Sequence, residues 1–179
     1  MRTRLRDLPD LATTYPTPHD HRLYGAGHDI RARVTVALGQ WALADCGGHQ
    51  VADLSAGQGA IARAIAPAPI LGDYAPGHPI RGRIEDTIAD IPRVDLIVCT
   101  ETLEHLEDPD GVLVAMRGKA KRLVCSLPER DDIDTNPEHV WAFDREGGEA
   151  MLADAGWSPD AFVSVDPGPP YRYMVWCCS

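Results

Sequence analysis

Val51-Ala52-Asp53-Leu54-Ser55-Ala56-Gly57-Gln58-Gly59 sets a short apolar run, closed by a carboxylate, directly before a turn of small residues, and the helical stretch Ala60 to Ala66 follows. Strand, glycine turn and helix together make the layout that offers bare backbone amides to a phosphate or nucleoside. A second apolar run, Pro69-Ile70-Leu71-Gly72, ends at Asp73, 20 positions after Asp53. At that spacing an acidic side chain can accept hydrogen bonds from both hydroxyls of a ribose.

Working outward, Ile30, Val34, Ala37, Leu38 and Trp41 recur at helical spacing between His28 and Ala44, and Gly47-Gly48 stops the pattern. Tyr74 to Pro79 is too short and too broken for a crossover helix. A weak third strand near Ile80 to Ile84 precedes Val94-Asp95-Leu96-Ile97-Val98-Cys99, whose nearly continuous apolar character suits a central parallel strand covered on both faces. Helical segments follow at Leu103 to Leu106 and Gly111 to Arg117, a fifth strand at Arg122 to Leu127, and a helix at Asp144 to Ala155 closed by Gly156. Ala161 to Val165 and Tyr171 to Cys177 make a final antiparallel pair. The alternation predicts an α/β fold: a Rossmann-like, doubly wound, mostly parallel sheet with a C-terminal antiparallel strand pair, trimmed after the second strand. Residues 1–27, rich in Pro, His, Asp and Arg, read as an irregular arm, and residues 28–179 as a single domain.

The quoted stretch resembles the first motif of class I S-adenosylmethionine-dependent methyltransferases, hhDhGxGxG, with Ser55 in place of the first glycine. The resemblance implies that Asp53, Ser55, Gly57 and Gly59 hold the methionine end of S-adenosyl-L-methionine. It implies further that Asp73 takes the ribose, that Tyr74 packs on adenine, and that Ile84 and Glu85 flank the adenine edge. Val94 to Leu106, reading VDLIVCTETLEHL, resembles the FDLVxxxxxLEHL segment of small-molecule and ubiquinone-pathway members, and Ser126-Leu127-Pro128 with His139 and Phe143 extends the match. On that match Thr100 and Glu101 border the cofactor. His105, with an unperturbed pKa near neutrality, could serve as general base beside Glu104, while the resemblance equally implies that Glu104 and His105 together fix the loop around the cofactor.

Other readings remain open. Gly57-Gln58-Gly59-Ala60-Ile61-Ala62 also fits the dinucleotide fingerprint G-x-G-x-x-G/A, against which the carboxylate of Asp53 at the strand end argues. Glu101, Glu104, His105 and His139 resemble the magnesium site of small-RNA 3′-end 2′-O-methyltransferases, though no metal is assigned here. A non-catalytic protein that binds S-adenosylmethionine is a third alternative. With 27 acidic against 17 basic residues and a net charge of -10, the chain gives no electrostatic reason to bind nucleic acid or an anionic membrane, and a small-molecule acceptor is the expected partner. Five cysteines without a CxxC pair read as free thiols. No stretch nears the roughly 18 apolar residues of a membrane span, so a cytoplasmic location is expected. Pro167 to Tyr171 reads as a turn, and the histidine-rich stretch Pro18 to His28 either as an arm folded over the cofactor or the acceptor pocket or as a solvated tail.

Overall fold

The computed structural model describes residues 1–20, 25–129, 136–168 and 172–179. In chain order run β1 (Arg2–Arg4), α1 (Leu11–Thr14), α2 (Ala26–Cys46), β2 (Val51–Asp53), α3 (Ala60–Ile65), β3 (Ile70–Asp73), β4 (Ile80–Arg81) and α4 (Ile84–Thr87). They are followed by β5 (Val94–Thr100), a 3-10 turn (Leu103–His105), α5 (Pro109–Lys119), β6 (Ala120–Glu129), β7 (Trp141–Phe143), α6 (Arg145–Asp154), β8 (Pro159–Val165) and β9 (Arg172–Cys178).

The main sheet runs β8-β9-β6-β5-β2-β3-β4, with β2 to β6 parallel and β9 antiparallel to both β6 and β8. Strand order moves outward in one direction from β2 and in the other from β5. The crevice beyond their carboxyl ends is therefore the switch point where open sheets bind ligands. The doubly wound sheet, the terminal antiparallel pair and the missing helix between β3 and β4 all agree with the sequence reading.

Side-chain alternation builds a core on each face. Leu96 and Val98 of β5 join Val124, Val175 and Cys177 against α2 and α3, whereas Ile97 and Cys99 join Leu123, Cys125 and Trp176 on the opposite face. Helix ends are capped locally: Asp108 accepts from Gly111 N at 3.0 Å and Asp144 from Gly147 N at 2.8 Å, while Gly47 ends α2 at φ 62°. All five cysteines are free, and no helix among the described residues is long and apolar enough to cross a membrane.

The inner face of α2 differs from the sequence expectation. Ile30 and Trp41 are 46% and 44% exposed, and the buried stripe is Arg31, Ala32, Thr35, Gly39, Ala42 and Leu43. The cause is close packing through small residues. A Cβ on Gly39 would stand 2.5 Å from Ile65 Cδ1 of α3, so the helix rotates its bulky side chains to the flanks.

Two short strands were not anticipated. The last β5–β6 pair is Thr100 with Ser126, and Glu129 of β6 then pairs with Phe143 of β7 while facing Arg172 of β9. β7 thus occupies the edge that β5 vacates, and β1 adds to it antiparallel. Arg2 and Arg4 stack over the Trp141 ring at 4.4 and 5.5 Å, Arg4 pairs with Glu107 at 2.7 Å, and Trp141 Nε1 donates to Leu106 O at 2.9 Å. Trp141 accordingly fastens β1 to the loop before α5.

Candidate active site

Between these anchors and the glycine turn, the arm crosses the switch point. Gln58 N donates to His19 O at 3.0 Å, and Leu8, Leu11, Tyr15, Thr17 and His19 roof a cavity of about 200 Å³. Its floor contains Asp53, Ser55, Gly57, Asp73, Tyr74, Ile84, Glu85, Thr100, Glu101 and His105. Every residue assigned to the cofactor from sequence lines this space except Gly59, which caps α3 at φ 74°.

The two aspartates are tied to the glycine turn. Asp73, which lines the cavity, accepts from Gly57 N on Oδ2 at 2.7 Å and from Ala75 N on Oδ1 at 2.8 Å, and each oxygen keeps a further lone pair beyond these bonds. Gly57 is at φ 54°, and a Cβ there would meet His19 O at 2.4 Å, so both conformation and the arm's approach require glycine. Asp53, 3% exposed, accepts from Ser55 N at 3.1 Å. Burial pushes its carboxyl up to about 7, with the Ser55 amide opposing and Asp73 adding to the rise. Ser55 stands in for the motif's glycine without strain, since Glu101 is the one non-glycine residue at positive φ among the described residues. Thr102 Oγ1 lies 2.8 Å from Ser55 Oγ and 3.0 Å from Thr100 O, locking the first loop to the end of β5.

Past β5 the polar residues divide into two groups. Glu101, at φ 50°, accepts from Ser126 Oγ at 2.7 Å, and burial raises its pKa against the lowering effect of Arg31. Arg31 itself was missed from sequence; it is 3% exposed, and its Nε lies 4.0 Å from Glu101 Oε1. The other group is Glu104, His105 and His139, whose ligand atoms lie within 4.8 Å of one another. His105 Nδ1 is 3.0 Å from Glu138 O and 3.1 Å from Tyr15 Oη, and its Nε2 is 3.7 Å from Glu104 Oε1. Glu104 is 1% exposed and stays behind the cavity wall. Glu101 lies outside this 4.8 Å cluster, although His139 still acts against the burial that raises its pKa. Of the arm's histidines, His19 and His28 line the cavity; His21 lies outside the described residues, as do Pro169 to Tyr171 of the proline-rich turn.

No family model matches the sequence, and no curated protein matches it either. Solved structures do share the fold. The 1,6-didemethyltoxoflavin-N1-methyltransferase of Burkholderia thailandensis, with its substrate and S-adenosylhomocysteine bound, superposes with a TM-score of 0.66 over 99% of this chain and 93% of its own, at 16% identity. The magnesium protoporphyrin IX methyltransferase of Synechocystis with bound S-adenosylmethionine gives 0.63 over 88% of each chain at 18% identity. A Leishmania major S-adenosylmethionine-dependent methyltransferase gives 0.60 over 80% and 72% at 13% identity. The chain therefore has the class I methyltransferase fold.

Proposed function

We propose that this chain is an S-adenosyl-L-methionine-dependent methyltransferase acting on oxygen or nitrogen of a small-molecule acceptor. The observation that carries the reading is the pair of aspartates at the ends of adjacent strands, Asp53 of β2 and Asp73 of β3, joined through the Gly57 turn at one continuous cavity. Tyr74 and Ile84 would hold the adenine, Asp73 the ribose hydroxyls, and Asp53 the ammonium of the methionine end. Bound there, the cofactor supplies an electrophilic methyl on a sulfonium. Transfer requires the acceptor lone pair in line with that methyl in a space closed to water, which the arm's apolar Leu8 and Leu11 help to exclude. As the new bond forms, the acceptor N–H or O–H must lose its proton. His105 stands at the cavity wall to receive it, its ring held by Glu138 O and Tyr15 Oη at Nδ1.

Isothermal titration with S-adenosylmethionine and S-adenosylhomocysteine tests the reading, with binding of both expected. No heat from either at millimolar concentration defeats it, and tighter binding of NADH would favour the dinucleotide alternative. Labelled-methyl transfer to a panel of small hydroxyl- and amine-bearing acceptors distinguishes an enzyme from a cofactor-binding accessory protein. The RNA-directed alternative draws support from the Glu104, His105 and His139 cluster alone. Two imidazoles and one carboxylate suit a borderline transition ion better than magnesium, and the acidic net charge opposes an RNA partner.

A further inference from the structure

A buried guanidinium remains after Asp53 and Asp73 have been given their roles. Arg31 projects from the second turn of α2 toward the carboxyl ends of β5 and β6 and the amino end of the antiparallel β9, and lines the cavity at 3% exposure. Among the described residues its Nε has no hydrogen-bond partner, Glu101 Oε1 being 4.0 Å away, and its Nη1 makes only a long bond of 3.4 Å to Ser126 Oγ. Its face rests 5.8 Å from the Tyr173 ring. Arginine stays charged and carries five donors, so burying it with its fork unfilled is costly unless an oxyanion completes it. The neighbouring carboxylate does not, because Glu101 is drawn to Ser126 and held in a left-handed conformation, which is strain of the kind retained at ligand sites.

We infer that Arg31 is the carboxylate-binding residue of this cavity, its Nε edge receiving a planar carboxylate from a bound ligand. The inference deepens the methyltransferase reading and rests on it for the nature of the occupant. Two occupants carry the chemistry: the amino-acid end of the cofactor, entering past Asp53, or a carboxylate-bearing acceptor seated over β5, β6 and β9.

The test compares wild type with Arg31→Gln and Arg31→Lys, using S-adenosylhomocysteine, 5′-methylthioadenosine, which lacks the amino-acid end, and benzoate. Normal binding of 5′-methylthioadenosine certifies that a variant is folded; Arg31→Lys, which keeps the charge and loses the fork, is read if Arg31→Gln does not fold. If the cofactor supplies the carboxylate, S-adenosylhomocysteine weakens by about 10- to 100-fold while 5′-methylthioadenosine is unchanged. If the acceptor supplies it, both nucleosides bind as in wild type, and benzoate raises the melting temperature of cofactor-loaded wild type but not of the variant. Variants that bind all three ligands like wild type overturn the inference. A wild type that binds neither nucleoside removes the methyltransferase reading instead, and Arg31 is then judged on benzoate alone, with failure of wild type to bind it counting against the inference.

Discussion

Asp53 couples the stability of the fold to pH, and Asp53→Asn removes that coupling. Burial raises its pKa from the ordinary 3.8 to about 7. Across that interval the folded chain holds a proton that the unfolded chain releases. The stabilising contribution is therefore complete below 3.8 and is lost as pH rises through about 7. Each pH unit inside the interval is worth about 1.4 kcal/mol, which amounts to about 3 kcal/mol between pH 5 and 7. Asparagine cannot ionise, so the variant should gain about this much relative to wild type over the same window and remain level above it. Any fixed cost of the amide, whose oxygen can still accept from Ser55 N, cancels from the slope. Urea unfolding of both proteins at a series of pH values measures it. A wild-type minus variant difference that is constant with pH, or that moves the other way, refutes the burial argument. The same carboxylate must ionise to hold an ammonium, so the affinity of wild type for S-adenosylmethionine should climb with pH up to about 7. The variant should bind weakly and without that dependence.

Gly57→Ala sets a Cβ 2.4 Å from His19 O in a left-handed conformation, so it should lower stability by at least about 1 kcal/mol and lift the arm, seen as faster hydrogen exchange at Gln58 N. Asp95 is held well below the usual carboxylate range by Lys121 and by the amides of His49 and Gln50. Its contribution is present above the ordinary 3.8 and lost in acid, so Asp95→Asn should cost about 2 kcal/mol at neutral pH in chemical denaturation, with the gap to wild type closing as pH falls. Glu101→Gly relieves the positive φ but strips Ser126 Oγ of its acceptor and Arg31 of its nearest carboxylate, so it should lower stability by about 2 kcal/mol while methyl transfer drops sharply, which thermal melts and label transfer measure side by side.

Where each element's pattern stood against a single background, the sequence was readable. β5 is apolar from Leu96 to Cys99 because both of its faces are covered, and Asp53, Gly57 and Asp73 sit at fixed offsets from strand ends, so their meeting at one cavity follows from strand order. Helix α2 was readable as a helix but not in its rotation. Hydrophobicity favoured Ile30 and Trp41, whereas the inner face was chosen by size, through Ala32, Gly39 and Ala42. That misreading hid Arg31, whose signal was a lone polar residue four positions before the equally buried Thr35. β1 and β7 were illegible for another reason. Each has three residues, and each exists only because β5 stops at Thr100 and leaves an edge of β6 to be filled.

The charge of the cavity discriminates between the two nucleotide cofactors that the glycine turn could serve. Among the described residues, Asp53, Asp73, Glu85 and Glu101 line it against Arg31 and Arg83, and Arg83 is already paired with Glu85 at 2.7 Å. A dinucleotide would lay its doubly negative pyrophosphate on the amides that open α3. Asp73 Oδ2 already takes the Gly57 amide there at 2.7 Å, so the phosphates would meet a carboxylate where they need a donor. S-adenosylmethionine would bring the opposite charge: a sulfonium and an ammonium to set among the acids, and a single carboxylate for which Arg31 lies in the same cavity. On the proposed function, methyl transfer would neutralise the sulfonium, so the attraction that seats the cofactor would weaken in the product and favour release of S-adenosylhomocysteine.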